Sequence, residues 1–329
     1  MHVLITGAAG MLGRKLTTRL VGDAAVGGQP IEQLTLTDVV VPDRPEGTPA
    51  AVEPVAADLA GPGVAEGLLA GRPDVVYHLA AVVSGEAETD LEKGYRVNLD
   101  ATRALLEAIR AAHQADGYHP RVVFTSSIAV YGAPLPDPIG EDFHQTPLTS
   151  YGTQKAVAEL LLADYTRRGF LDGIGLRLPT ICIRPGRPNR AASGFFSSIL
   201  REPLVGQEAV LPVPESTRHW HTSPRSAVGF LVRAATLDTA SVGPRRTLSM
   251  PGLSATVAEQ LEALRRVAGE RAVRLVRHEP DEAVMRIVET WAAALDASRA
   301  ERLGFVAETS FDEIIRVHIE DELGGVLPS

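Results

Sequence analysis

The sequence is poor in cysteine, in aromatic residues and in long apolar runs. Its single cysteine, Cys182, excludes an internal disulfide and any zinc site built from several thiolates. No uninterrupted apolar stretch approaches the roughly 20 residues that a membrane-crossing helix needs. The N-terminus lacks a basic head followed by an apolar segment and enters a strand pattern at once, so no secretory leader is expected. Positive charge is in deficit, with 32 Lys and Arg against 41 Asp and Glu and a net charge of -9. That balance argues against nucleic acid or a membrane surface as partner, although a local arginine cluster can still receive a small anion. A soluble, cytoplasmic protein is the expectation. At 329 residues and 45% hydrophobic content, the chain can build a large core or two unequal domains.

What is present begins with alternation. His2-Val3-Leu4-Ile5-Thr6 reads as a short buried strand. It runs into Gly7-Ala8-Ala9-Gly10-Met11-Leu12-Gly13 and a helical segment from Arg14 to Leu20. Gly7 allows a tight turn, Gly10 allows backbone to approach a pyrophosphate at a helix N-terminus, and Gly13 allows close helix–sheet packing. A second strand, Gln33 to Thr37, ends at Asp38. A carboxylate at that tip accepts the ribose hydroxyls of NAD and repels the extra phosphate of NADP, so NAD is the expected cofactor. The insertion from Gly22 to Pro30 accounts for the long spacing to Asp38, and Arg44 follows in a loop without replacing it.

Further strands are expected at Val52 to Ala56, Val75 to Ala81, Arg121 to Thr125 and Gly173 to Leu178. A long helix is expected from Asn98 to His113. Ala80 and Ala81 end the fourth strand with side chains small enough for a flat cofactor to lie close, and Leu79 before them is also expected at the cofactor. This order predicts an α/β fold: a Rossmann-like parallel sheet with helices on both faces. Residues 1–178 form the nucleotide-binding part, and 179–329 form mainly a smaller C-terminal substrate-binding cap, with some segments returning to the core. In that second part, helices are expected at Pro224 to Thr236, from a cap at Ser254, with Thr256 nearby, to Val267, at Ala283 to Ala294, at Ala297 to Leu303 and at Ser310 to Glu322. A strand is expected at Arg246 to Met250.

The chemistry concentrates in Tyr151-Gly152-Thr153-Gln154-Lys155, which reads as the start of a helix. Residues four apart share a helix face. Tyr151 and Lys155 therefore point to one spot, and the ammonium is expected to lower the phenol pKa. A tyrosine tuned in this way takes a proton from an alcohol near neutral pH.

Thr6 to Gly13, Ser126-Ser127 and Tyr151 to Lys155 together resemble the extended short-chain dehydrogenase/reductase family, and the likeness covers nearly the whole chain. The resemblance implies a catalytic set of Ser127, Tyr151 and Lys155, with Ser126 as the fallback for Ser127. It places Asp58 and Leu59 beside the adenine, and Asn98, Tyr151, Lys155 and Pro179-Thr180-Ile181 around the cofactor. It also implies a homodimer, formed through the helices Asn98 to His113 and Gly152 to Arg168. Apolar stripes on those helices, Leu105-Ile109-Ala112 and Val157-Leu160-Leu161, serve sheet packing equally well. Longer stretches, among them His78 to Glu86 and Arg184 to Asn189, resemble members of the family that oxidise a four-carbon sugar acid at C2 with NAD. No metal is required for that chemistry.

A sugar-acid carboxylate needs an arginine fork or a cluster of donors. Arg184, Arg187, Asn189 and Arg190 are the candidates in the cap, and Ser84 on the opposite rim is placed to meet a hydroxyl. His78 reads as a core histidine and Cys182 as a small buried hydrophobe, whereas Trp220 and His221 either line the pocket or anchor the cap. Two other functions use the same motifs: a nucleotide-sugar epimerase, whose cap would hold a nucleoside diphosphate, and a non-catalytic NAD-binding protein. A dehydratase fits less well, because Ser126-Ser127 stands where similar dehydratases carry an Asp-Glu pair.

Overall fold

Val3, Leu4 and Ile5 have no accessible surface, which is the signature of a strand covered on both faces. The computed structural model describes residues 1–47, 51–186 and 193–327. Its strands used below are β1 (His2–Thr6), β2 (Gln33–Asp38), β3 (Ala51–Ala56), β4 (Val75–His78), β5 (Arg121–Ser127), β6 (Asp172–Leu178), β7 (Thr180–Ile181), β8 (Arg218–Thr222), β9 (Thr247–Ser249) and β10 (Leu253–Thr256). The main helices are α1 (Met11–Asp23), α2 (Ala101–Asp116), α3 (Ser150–Arg167), α4 (Gly194–Leu204), α5 (Pro224–Thr236), α6 (Val257–Ala268) and α7 (Phe311–Glu322).

The large sheet has the order β9-β6-β5-β4-β1-β2-β3, and every pairing in it is parallel. The strand order reverses between β1 and β4, and a doubly wound sheet binds its ligand at the carboxyl ends beside that point. One face packs Leu16 and Leu20 of α1 against Phe230, Leu231 and Ala234 of α5. The other buries Leu105, Ile109, Ala158 and Leu162 of α2 and α3. A small sheet, β10-β8-β7, leads into the cap. The cap has its own apolar core, where Phe196, Ile199, Leu264 and Ile315 join α4, α6 and α7. No helix of the described residues is long and apolar enough to cross a membrane.

Several elements differ from expectation. Strand β4 stops at His78, three residues short of Ala81, because the chain leaves the sheet to pass over Gly7. Asn98 lies in a π-turn, Arg96–Asp100, that precedes α2. Thr256 caps α6 in a reciprocal box with Glu259, while Ser254 sits in β10 and donates to the Ala293 carbonyl at 2.8 Å. The helix expected at Ala283 to Ala294 spans only Glu282–Val288. Beyond it Ala292 and Leu295 are buried in a separate apolar cluster, and Leu295 bridges Ile139 in extended conformation. The insertion after α1 forms a two-residue hairpin, Ala25–Val26 with Gln29–Pro30. Of the two apolar stripes, Leu105 and Ile109 are consumed by the sheet core, whereas Leu160 of α3 is 65% exposed.

Candidate active site

The turn from β1 into α1 is a cradle that side chains would fill. Gly7 has φ +74, and a Cβ there would lie 2.7 Å from the Ala80 nitrogen. A Cβ on Gly13 would lie 2.2 Å from the Gly7 carbonyl oxygen. Helix α1 has Gly10 as its N-cap with no side-chain cap bond, so no side chain matches its first N–H groups at the positive end of its dipole. An anionic pyrophosphate fits this arrangement.

Asp38 ends β2 beside the same turn. Its carboxylate accepts the Ala9 N–H at 3.0 Å and the Val39 N–H at 2.7 Å. Those bonds fix the carboxylate and leave lone pairs for two ribose hydroxyls. Replacing Asp38 with Ala is therefore expected to raise the KM for NAD about tenfold or more and to narrow the preference over NADP. The ratio of kcat/KM values for the two cofactors measures this, and an unchanged ratio would rule Asp38 out as the ribose ligand.

Asp58 stands across the crevice, bonded to Arg96 at 2.5 Å and to the Ala60 N–H at 3.1 Å. The Arg96 hydrogen bond holds its carboxyl below the usual range, partly opposed by lost hydration. Leu59 is buried in the core, so only its main chain can face a ligand. Asn98 is also buried, and its amide is engaged by the protein: Oδ1 accepts from the Val82 N–H at 2.9 Å, and Nδ2 donates to Gln154 at 2.7 Å and to the Val82 carbonyl at 3.3 Å. Asn98 shapes the loop after β4, because its donors are already matched.

Tyr151, Lys155 and Ser127 meet at the carboxyl ends of β5 and β6. The Thr149 hydroxyl caps α3 by accepting the Gly152 N–H at 3.0 Å, which sets the first turn carrying Tyr151. Ser127 accepts the Ala129 N–H at 3.1 Å, and its hydroxyl lies close enough to the Tyr151 phenol to favour the phenolate. Ser126 points the other way and donates to buried Glu159. The structure therefore brings Ser127, and not Ser126, to the tyrosine.

Lys155 is 2% exposed. Its ammonium donates to the Thr125 carbonyl at 2.8 Å and lies 4.8 Å from the centre of the Phe124 ring and 5.8 Å from that of Tyr151. Burial pushes its pKa down to about 8, against an upward pull from Glu159. The Tyr151 phenol is likewise pushed upward by burial, and the Ser127 hydrogen bond and the Arg184 charge oppose that rise. The expected lowering by Lys155 is thus corrected for the ligand-free enzyme: desolvation outweighs the favourable groups, and the ammonium is directed at Thr125.

Behind this set lies a buried network. Glu159, four residues beyond Lys155, receives Arg177 Nη2 at 2.7 Å and Gln145 at 2.5 Å in addition to Ser126. Arg177 also donates to the Tyr131 hydroxyl at 2.5 Å. The i, i+4 spacing from Lys155 was the available sequence signal for Glu159, and the strand position of Arg177 carried none.

Other site residues fall on the rims. Pro179 is buried, and Thr180 bonds His219 Nε2 at 2.7 Å where β7 pairs with β8. Ser84 opens a short helix, Ser84–Thr89, and is partly accessible. Arg184 follows β7 in the cap, whereas Arg187, Asn189 and Arg190 lie outside the described residues. His78 is a core histidine, with Thr6 and Thr102 each 2.8 Å from one ring nitrogen. Trp220 donates to the Met250 carbonyl at 3.2 Å and anchors the cap, and Cys182 is fully buried. Among the described residues no group of three His, Cys, Asp or Glu is placed to hold a metal ion.

A doubly wound sheet with a glycine cradle, a strand-tip acid and a Ser-Tyr-Lys cluster defines a nucleotide-dependent oxidoreductase-type site. The chain belongs to the NAD dependent epimerase/dehydratase family, which matches residues 3–221. It is 51% identical to a D-erythronate dehydrogenase of Cupriavidus necator over 98% of both chains. It is 41% identical to a D-erythronate dehydrogenase of Haemophilus influenzae over 98% of this chain and 100% of that one. A solved structure described as the nucleoside-diphosphate-sugar epimerase from Agrobacterium tumefaciens is 70% identical, with a TM-score of 0.98, and covers 100% of this chain and 96% of that one. NAD is the cofactor, and the residues of the cradle fit it.

Proposed function

We propose that this protein oxidises D-erythronate at C2 to 2-dehydro-D-erythronate. The observation that carries the reading is Tyr151 in the first turn of α3 with buried Lys155 four residues on, its ammonium 5.8 Å from the centre of the phenol ring, in a chain whose likeness to two D-erythronate dehydrogenases runs through the cap as well as the sheet. Bound NAD supplies the acceptor for the hydride that leaves C2. Tyr151 takes the proton of the C2 hydroxyl. Ser127, close to the phenol, holds the reacting oxygen. Lys155 supplies a fixed positive charge close to the oxygen that becomes anionic. Asp38 and the turn Gly7 to Gly13 hold the adenosine half, with Asp58, Leu59, Leu79, Ala80, Ala81 and Pro179 to Ile181 around it. Ser84 and Arg184 receive the acid, with Arg187 and Asn189 as further candidates.

The 70% identical structure with an epimerase description makes nucleotide-sugar epimerisation the second reading. One experiment separates the two. Purified protein is given NAD with D-erythronate, its stereoisomers including L-threonate, and D-glycerate, and reduced nicotinamide is followed by absorbance. UDP-sugars are run in parallel and analysed for interconversion. Fast reduction of NAD with D-erythronate and slow reduction with its stereoisomers is the expected result. Silence with every acid, together with interconversion of a UDP-sugar, would replace the dehydrogenase reading by the epimerase one.

A further inference from the structure

Arg184 is a guanidinium held without an acid. Its Nε donates to the Ile181 carbonyl at 3.1 Å and its Nη2 to the Ser193 hydroxyl at 2.9 Å. Both acceptors are neutral. The backbone is clamped as well: the Arg184 N–H donates to Ser197 Oγ at 3.0 Å, and its carbonyl accepts Arg201 Nη1 at 2.7 Å. Arg201 has a carboxylate partner, Glu202, at 2.6 Å. Among the described residues no carboxylate lies within ion-pair distance of Arg184. A buried charge is ordinarily matched by an opposite one. Here the surroundings strip enough water to depress the guanidinium pKa, while part of the side chain remains accessible. Its charge is felt by the Tyr151 phenol. The arrangement is a clamped, largely dehydrated cation that lacks an anion and follows six residues after the end of β6, where Tyr151, Lys155 and Ser127 meet.

We propose that Arg184 receives the substrate carboxylate, and that its place beside Tyr151 directs oxidation to the carbon bonded to that carboxylate, making 2-hydroxy acids the substrate class. The inference rests on the sugar-acid reading above. In a 2-hydroxy acid the carboxyl carbon and the reacting carbon are directly bonded, so an anion anchored near Tyr151 delivers the C2 hydroxyl to it. The anchor also offsets an electrostatic conflict. Without Arg184 the substrate would bring a carboxylate next to a tyrosine that must become negative, and like charges disfavour that ionisation. A 3-hydroxy acid bound by the same fork places its hydroxyl one carbon further from the phenol.

The test compares wild-type enzyme with Arg184→Met and Arg184→Lys, using D-erythronate and its neutral amide, D-erythronamide. NAD affinity is followed by intrinsic fluorescence as a check on the fold. In Arg184→Met the kcat/KM for D-erythronate is expected to fall on the order of 100- to 1,000-fold, mainly through KM. The amide should lose much less, and NAD affinity should stay at the wild-type value. Arg184→Lys keeps the charge but not the planar fork, so it should fall between the two. A wild-type KM for D-erythronate in either variant, or equal losses on acid and amide, would overturn the assignment of Arg184 while leaving the dehydrogenase reading intact. Wild-type enzyme that turns over no sugar acid would overturn that reading itself, and the inference with it.

Discussion

Replacing Tyr151 with Phe is expected to lower turnover of D-erythronate by about 100- to 10,000-fold, the range lost with a positioned acid–base group, and to leave NAD binding close to wild type. The substitution removes one oxygen and keeps the ring. Helix α3 begins two residues earlier at the Thr149 cap, which the change does not touch. Lys155 remains bonded to Thr125. What disappears is the proton acceptor, with the Ser127 hydroxyl still bonded to the Ala129 N–H. Single-turnover absorbance with saturating NAD isolates the chemical step, and a fluorescence titration reports binding. Turnover within tenfold of wild type would remove Tyr151 from the mechanism and point to Ser127 or a bound water as the base.

Glu159→Gln is expected to have the largest effect on stability. The side chains of Arg177 and Glu159 are 11% and 3% exposed. Removing one member of a buried pair leaves the other uncompensated and costs about 3–5 kcal/mol. At about 2–4 °C per kcal/mol for chains somewhat shorter than this one, the melting temperature should drop by roughly 10 °C. The same carboxylate pulls the Lys155 pKa upward. Its loss leaves burial unopposed, so the ammonium should deprotonate below about 8 instead of at it. Lysine is charged below its pKa and neutral above it. The alkaline fall in kcat/KM should therefore begin at lower pH in the variant. A calorimetric scan and a pH–rate profile read the two effects separately. The double variant Glu159→Leu, Arg177→Met should regain much of the stability, since an apolar pair can replace a buried ion pair, and should keep the displaced pH limb. Recovery of the wild-type pH profile in that double variant would show that Glu159 does not act on Lys155.

The legible parts of this protein are those whose logic is local. The glycine turn, Asp38 at a strand tip and the Tyr151–Lys155 spacing each lie within one or two consecutive elements, so residue order alone places them. Asn98 and Glu159 are different. Their partners, Val82 and Gln154 for one and Ser126, Gln145 and Arg177 for the other, come together only after several elements have packed. The preference for Ser127 over Ser126 is legible from its motif context, whereas the turn of Ser126 toward Glu159 on the same helix is not. The Tyr151 pKa was misread because a neighbouring charge can be seen in sequence whereas the depth of burial cannot. The direction of the Lys155 ammonium, toward a backbone carbonyl, was equally hidden.

The passage of the chain between sheet and cap has a consequence for how the molecule can be divided. Strand β9 lies beside β6, α5 packs on α1, and Phe305 near the C-terminus sits in the same apolar cluster as Val3 and Leu16. The outer cover of the nucleotide-binding sheet is thus supplied by polypeptide that has already built part of the cap. A fragment ending at Leu178 would have the glycine turn, Asp38, Ser127, Tyr151 and Lys155, yet one face of its sheet would keep α1 and lose α5 and the region around Phe305 that complete its cover. The active-site sequence is therefore not portable as a contiguous piece. Exchanging substrate specificity between relatives would have to proceed through discontinuous segments such as 179–223, leaving α5, β9 and the region around Phe305 with the sheet that they close.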